Sequence, residues 1–246
     1  MQYWRSRVIM NPFTRGLSLA TIKHRFCSGL FRVFIVAMLT TPFVVSAQRQ
    51  IFHAYGAADG LSNLNVRCLF QDRIGYIWVD TDNGLFRYDG IKFKAFGHSQ
   101  GLADTEILSI AQSPEGMLWV GTNSGVAVLS GNHFDSVRVG GTDSTRAIAF
   151  DTHLGVYLLH DAEIVRGTRD DKGSYHFEPV VHGKPKGLSY SNGEVFFGLD
   201  GDLWQFHGEH QERIGRTAGL PADDWSATVY DTLGNMWVRS KHLLYE

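Results

Sequence analysis

Between Asp59 and Asp89, short apolar runs alternate with tight-turn residues. Val66-Arg67-Cys68-Leu69-Phe70-Gln71, Tyr76-Ile77-Trp78-Val79-Asp80-Thr81, Leu85-Phe86-Arg87-Tyr88 and Lys92-Phe93-Lys94-Ala95-Phe96 each have the length and the aromatic or β-branched content of a strand. Asp72-Arg73-Ile74-Gly75 separates the first two. Asp82-Asn83-Gly84 and Asp89-Gly90 are hairpin signals between the others. Four short strands linked by tight turns predict one antiparallel meander.

The unit recurs. Gly75-x-x-Trp78 comes back as Gly116-x-x-Trp119 and Gly234-x-x-Trp237, with weaker copies at Gly155-Val156-Tyr157 and Gly193-Glu194-Val195-Phe196. Steps of 41, 38, 39 and 41 residues link Trp78, Trp119, Tyr157, Phe196 and Trp237. A period near 40 with four strands per unit is the signature of a propeller blade. A lone four-stranded sheet cannot cover both its faces, so blades stack, and the aromatic at fixed register is the natural wedge between them. The sequence therefore predicts an all-β propeller of about five four-stranded blades, over residues 59–96, 101–137, 145–180, 186–214 and 219–246. Unit five lacks an outermost strand. Ile51-Phe52-His53-Ala54-Tyr55 has the pattern of one and is the candidate to complete that blade and close a ring. The competing expectation is a partial array of a larger propeller.

Composition changes the picture at the N-terminus. Residues 1–47 carry six of the 23 Lys and Arg, and the first acid is Asp59, so residues 48–246 hold 17 basic against 25 acidic side chains, a net of -8. An acidic body excludes a general nucleic-acid footprint. The run Val33-Phe34-Ile35-Val36-Ala37-Met38-Leu39-Thr40-Thr41-Pro42-Phe43-Val44-Val45 follows a basic leader and ends in small residues at Ser46-Ala47. Residues 1–47 thus read as a secretory signal peptide or N-terminal membrane anchor, with a periplasmic or secreted body over 48–246. Of two cysteines, Cys27 lies in that leader and Cys68 on an apolar strand pattern, so the body has no disulfide partner and Cys68 reads as a structural thiol.

The stretch from Gly60-Leu61-Ser62 through Gln71-Asp72-Arg73-Ile74-Gly75-Tyr76-Ile77-Trp78-Val79 to Asp82-Asn83-Gly84-Leu85-Phe86-Arg87-Tyr88-Asp89-Gly90 resembles the two-component regulator propeller repeat, and Met117 to Val126 matches the same motif. The resemblance is strong over 51–139, recognisable at 219–246 and weak between. It implies the periplasmic sensor region of bacterial hybrid histidine kinases. Such proteins continue into a β-sandwich, a membrane helix, and kinase and receiver domains. No transmitter histidine, ATP-binding glycine box or receiver aspartate occurs in this sequence, so the implied role is ligand sensing by a fragment without kinase activity. Partners implied are a glycan or other small extracellular ligand, a signalling kinase or further propeller repeats; no cofactor is implied.

Candidate chemistry is sparse. Asp72-x-x-Gly75-x-x-Trp78 resembles the Asp-box of sialidase-type propellers, with Asp three rather than two residues before Gly; its role there is a turn. His207-x-x-His210 falls on a hairpin and has no third ligand, so no metal is expected. Acid pairs Asp170-Asp171 and Asp223-Asp224 read as solvated loops, and no catalytic residue is assigned. Trp78, Trp119, Tyr157, Phe196 and Trp237, with Gly75, Gly116, Gly155, Gly193 and Gly234, are structural repeat positions. In a propeller, the connections leading into each innermost strand share one mouth with the turns between strands two and three. That mouth gathers Asn63, Asn65, Asp82, Asn83, Asp104, Thr105, Asn123, Asp223 and Asp224, whose amides and carboxylates suit sugar hydroxyls, although turns select the same residue types. The alternatives are a secreted propeller enzyme acting on glycans and a protein-binding scaffold using a blade face.

Overall fold

The computed structural model describes residues 52–140, 144–152 and 155–246. The leader predicted over 1–47 lies outside the described residues, and so does Ile51. Among the described residues, no helix is long and apolar enough to cross a membrane.

The described chain is all-β, a five-bladed propeller. The first blade contains β1 (Val66–Gln71), β2 (Ile77–Thr81), β3 (Gly84–Tyr88) and β4 (Phe93–Phe96), hydrogen-bonded in chain order. The second contains β5 (Ile107–Gln112), β6 (Leu118–Thr122), β7 (Gly125–Ser130) and β8 (His133–Val137). The third runs β9 (Thr145–Phe150), β10 (Val156–His160), β11 (Glu163–Arg169) and β12 (Tyr175–Val181). The fourth runs β13 (Leu188–Ser191), β14 (Glu194–Leu199), β15 (Asp202–His207) and β16 (His210–Arg213). The fifth has three strands, β17 (Trp225–Tyr230), β18 (Met236–Ser240) and β19 (Leu244–Tyr245). All neighbouring strands pair antiparallel, as short turns require.

The core lies between blades. Trp78, Leu85 and Phe96 of the first blade pack with Leu102, Ile107, Leu118, Val120, Ala127 and Phe134 of the second. Tyr157 and Ile164 of the third meet Leu188, Val195, Phe197 and Phe206 of the fourth. The wedge positions Trp78, Trp119, Tyr157 and Phe196 are all buried, as their period predicts. Burying about 200 Å² of one such ring is worth roughly 5 kcal/mol of transfer free energy as an upper bound. Trp237, in the same register, is only half-buried, because no blade lies on its outer side among the described residues.

The first two blades open with the same device. Gly60 and Gly101 end single 3-10 turns with φ of 94° and 90°, and a Cβ on either would fall within 2.6 Å of the backbone oxygen of Phe93 or Phe134. Only glycine fits there, and it delivers Leu61 and Leu102 into the apolar layer. At the turn between strands one and two, Gly75, Gly116, Gly193 and Gly234 have positive φ, and Gly155 does not. Gly155 is needed for space, since its Cβ would lie 2.5 Å from the Asp151 carboxylate.

The segment 51–55 departs from the expected outermost strand of blade five. Its described residues, 52–55, form no strand, and the fifth sheet ends at β19. Tyr55 instead lies on the first blade, its ring 5.0 Å from Tyr88 and 5.7 Å from Phe93. Aromatic stacking on the local blade outweighs a long-range edge pairing that two short strands would support weakly.

Candidate ligand-binding face

The mouth predicted from strand order is occupied by two polar clusters. The larger spans blades one and two and centres on Arg67. Four innermost strands, β1, β5, β9 and β17, carry a register shift at their second residue, and that residue is Arg67, Leu108, Arg146 or Ser226. A bulge re-aims the residue it contains. The Arg67 guanidinium contacts Asp80 at 3.3 Å, Glu106 at 3.6 Å and Asp82 at 3.8 Å, and donates to the Thr81 carbonyl at 3.4 Å.

The amides sit around this hub. Asn65 Nδ2 donates to Asp82, and Asn65 N–H donates to Asn63 Oδ1 at 2.8 Å. Asn123 Nδ2 donates to Glu106 at 2.6 Å, and Ser124 Oγ reaches Asp104 at 3.4 Å. Asn83 N–H donates to Thr81 Oγ1, and Thr105 packs its side chain beside Gly84. Of the nine predicted mouth residues, seven therefore surround the seam between blades one and two. Asn65, Asp82, Asn83 and Asn123 are exposed at its rim.

Asp223 and Asp224 belong to a separate cluster at blades four and five. Asp223 accepts from Ser240 Oγ at 2.6 Å and lies 3.6 Å from His242 Nδ1, and Asp224 pairs with Lys186 at 3.6 Å. Lys186, Asp224, Ser226, Arg239, Ser240 and Lys241 line an open cavity of about 470 Å³. The Ser240 hydroxyl and the Asp224 N–H hold the Asp223 carboxyl below the usual carboxylate range.

Arg67, Asp80 and Glu106 were not among the predicted residues. Their signal was present. Asp80 occupies the register held by Gly121, Leu159, Gly198 and Arg239 in the other blades, so it is the one carboxylate at that position. It is buried, and desolvation pushes its pKa up against the opposing pull of Arg67. One guanidinium against three carboxylates leaves the cluster acceptor-rich. It suits a neutral polyhydroxyl ligand, whose hydroxyls donate to Asp82 and Glu106 and accept from Asn65 and Asn123, and it disfavours an anion.

The other candidate groups lie elsewhere. His207 sits 3.1 Å from Glu212 and 3.9 Å from Glu194 in a blade-four hairpin, directly across from His210. Among the described residues, no cluster of His, Cys, Asp and Glu is disposed to hold a metal ion. Cys68 is exposed on β1, not buried as its apolar neighbours suggested.

Residues 60–83 and 101–124 match the family model described as two component regulator propeller. These two segments carry the two-component regulator propeller repeat. The matched segments of these repeats hold the bulged strand β1 and most of the residues around Arg67. A stretch of 66 residues is 36% identical to Histidine kinase P4 of Formosa agariphila, covering 27% of this chain and 5% of that protein. The repeats superpose on the extracellular domain of BT4673 from B. thetaiotaomicron with a TM-score of 0.63 and 17% identity, over 79% of this chain and 28% of that one. They superpose on the extracellular domain of BT3049 with a TM-score of 0.60 and 18% identity, over 78% of this chain and 30% of that one. Virginiamycin B lyase of Staphylococcus aureus shares the fold with a TM-score of 0.57 and 11% identity, over 72% of this chain and 63% of that one. The chain therefore spans under a third of the BT4673 and BT3049 domains and a small part of the histidine kinase.

Proposed function

We propose that this chain is a non-catalytic, extracytoplasmic ligand-sensing module of a two-component signalling system. The observation that carries the reading is the repeat itself: the segments that match the two-component regulator propeller contain the Arg67 cluster. The superposable BT4673 and BT3049 structures are extracellular domains, which supports an exported location for the body, and the basic, apolar leader supports the same. The stretch shared with Histidine kinase P4 supports a kinase as the downstream partner.

The ligand is a neutral glycan fragment held at the rim of the Arg67 cluster. Carboxylates and amides fixed by a partly exposed ion-pair hub are preorganised acceptors and donors for paired hydroxyls, which lowers the ordering cost of binding. Calorimetric titration of neutral oligosaccharides into the protein tests this, against Asp82→Ala and Asn123→Ala. At least a tenfold loss of affinity in both variants is expected. A library of neutral oligosaccharides that gives no heat, or affinities unchanged by both substitutions, refutes the assignment.

A further inference from the structure

The five blades are equivalent in register, so each position can be compared with its four counterparts. Leu85 pairs with Asp80, two residues beyond Trp78 on the same side of the blade, and its counterparts are Val126, Ile164, Leu203 and Leu244. The first four are 0–5% exposed; Leu244 is 65% exposed. Trp237, the fifth wedge, is half-buried where the other four are fully buried, and Val229 across from it is 57% exposed. The forward side of blade five is therefore one half of an interface built four times among the described residues, where nothing described supplies its other half.

The first blade shows the reciprocal surface. In blade two, Ile107, Ile110 and Leu118 receive Trp78. Their counterparts in blade one are Val66, Leu69 and Ile77, and all three are exposed, Leu69 to 65%. Val79, the counterpart of Val120, is already covered by Leu61 and Phe86, so this face is preassembled.

We infer that the forward face of blade five, formed by Val229, Trp237 and Leu244, docks onto the rear face of blade one, formed by Val66, Leu69 and Ile77, of a second copy of this chain. The occupant follows from chemistry on the molecule itself. The receiving residues are the register counterparts of those that already hold Trp78, and every copy presents both halves in equal number. The contact is head-to-tail, so one copy can use both faces at once and association continues into a ring or an open chain. Exposed apolar faces of this kind are otherwise an aggregation hazard, and the β19 edge, unpaired among the described residues, adds to it.

Sedimentation velocity of the full-length chain over a concentration series tests the proposal. Wild-type protein is expected to associate, and Leu69→Lys and Leu244→Lys are each expected to weaken association at least tenfold. Both side chains are exposed, so circular dichroism should not move, nor should the melting temperature at concentrations where the wild type is dissociated. The decisive arm is the mixture: Leu69→Lys keeps the blade-five face and Leu244→Lys keeps the blade-one face, so together they should form a one-to-one dimer that grows no further. A monomeric wild type overturns the proposal, whether its faces close on each other or await a different protein. Association that survives both substitutions overturns it too, placing the contact elsewhere on the chain.

Discussion

Asp72 and Trp78, six residues apart, are joined by a buried hydrogen bond in which the indole Nε1–H donates to Asp72 Oδ2 at 2.8 Å. The other carboxylate oxygen accepts the backbone N–H groups of Ile74, Gly75 and Tyr76, each at 3.0 Å. One side chain thus closes the turn and anchors the wedge. The relationship recurs at the same spacing: Tyr157 Oη donates to Asp151 at 3.4 Å and Trp237 Nε1 to Asp231 at 3.2 Å. Burial pushes the Tyr157 phenol up to about 12, so it remains a donor at neutral pH. In blade two the turn residue is Ser113, too short to reach, and the buried Trp119 Nε1 has no partner.

That broken repeat predicts a stabilising substitution. Ser113→Asp restores the acceptor for Trp119 and should raise stability by about 1 kcal/mol in urea denaturation. The converse, Asp72→Ala, strands an indole donor and opens the turn, and should cost roughly 2–3 kcal/mol. A lower denaturation midpoint for Ser113→Asp would show that desolvating the new carboxylate outweighs the bond.

The wedges differ in what surrounds them. Trp119 is fully buried between blades two and three, beside Val126, Phe150 and Leu158. Trp119→Ala should cost roughly 3–5 kcal/mol, because the cavity cannot collapse between two sheets. Trp237→Ala, at a half-buried site, should cost less than half as much when measured at protein concentrations too low for self-association.

Arg67 neutralises a carboxylate it cannot be separated from. Arg67→Ala leaves Asp80 buried without its cation and should destabilise the protein by about 1–3 kcal/mol, the partial exposure of Arg67 keeping the figure at the lower end for such pairs. Adding Asp80→Asn should recover most of the loss. A double variant as unstable as Arg67→Ala alone would mean that packing of the arginine stem, and not its charge, is what matters.

Acid should loosen the turns. The Asp231 carboxyl is held below its usual range, first by the Asn235 N–H and then by the Trp237 indole, and Asp170 likewise by Ser174 N–H and His176. A carboxyl with a lowered folded pKa contributes stability above its unfolded pKa, near 4, and that contribution is lost as pH falls through the folded value. The urea midpoint should therefore drop between about pH 4 and pH 2. Asp231→Asn, which keeps an acceptor but cannot titrate, should show a shallower fall over the same window.

The number of blades and their order were decided within the sequence. Each blade is a local meander, so its turns, its two-residue periodicity and its wedge aromatic all lie within about 40 consecutive positions. The mouth was readable to the same extent, because strand order alone places Asn65, Asp82, Asp104 and Asn123 at one end. Folding decided the rest. Arg67 became a hub only because a bulge turned it toward Asp80, 13 positions away, and Glu106, 39 positions away in the next blade. Tyr55 was read as part of a distant sheet and instead stacks on the nearest one. The same residue types at Leu85 and Leu244, or at Trp78 and Trp237, ended in opposite environments. Local patterning specifies which face is apolar; only the arrangement of whole blades specifies whether anything covers it.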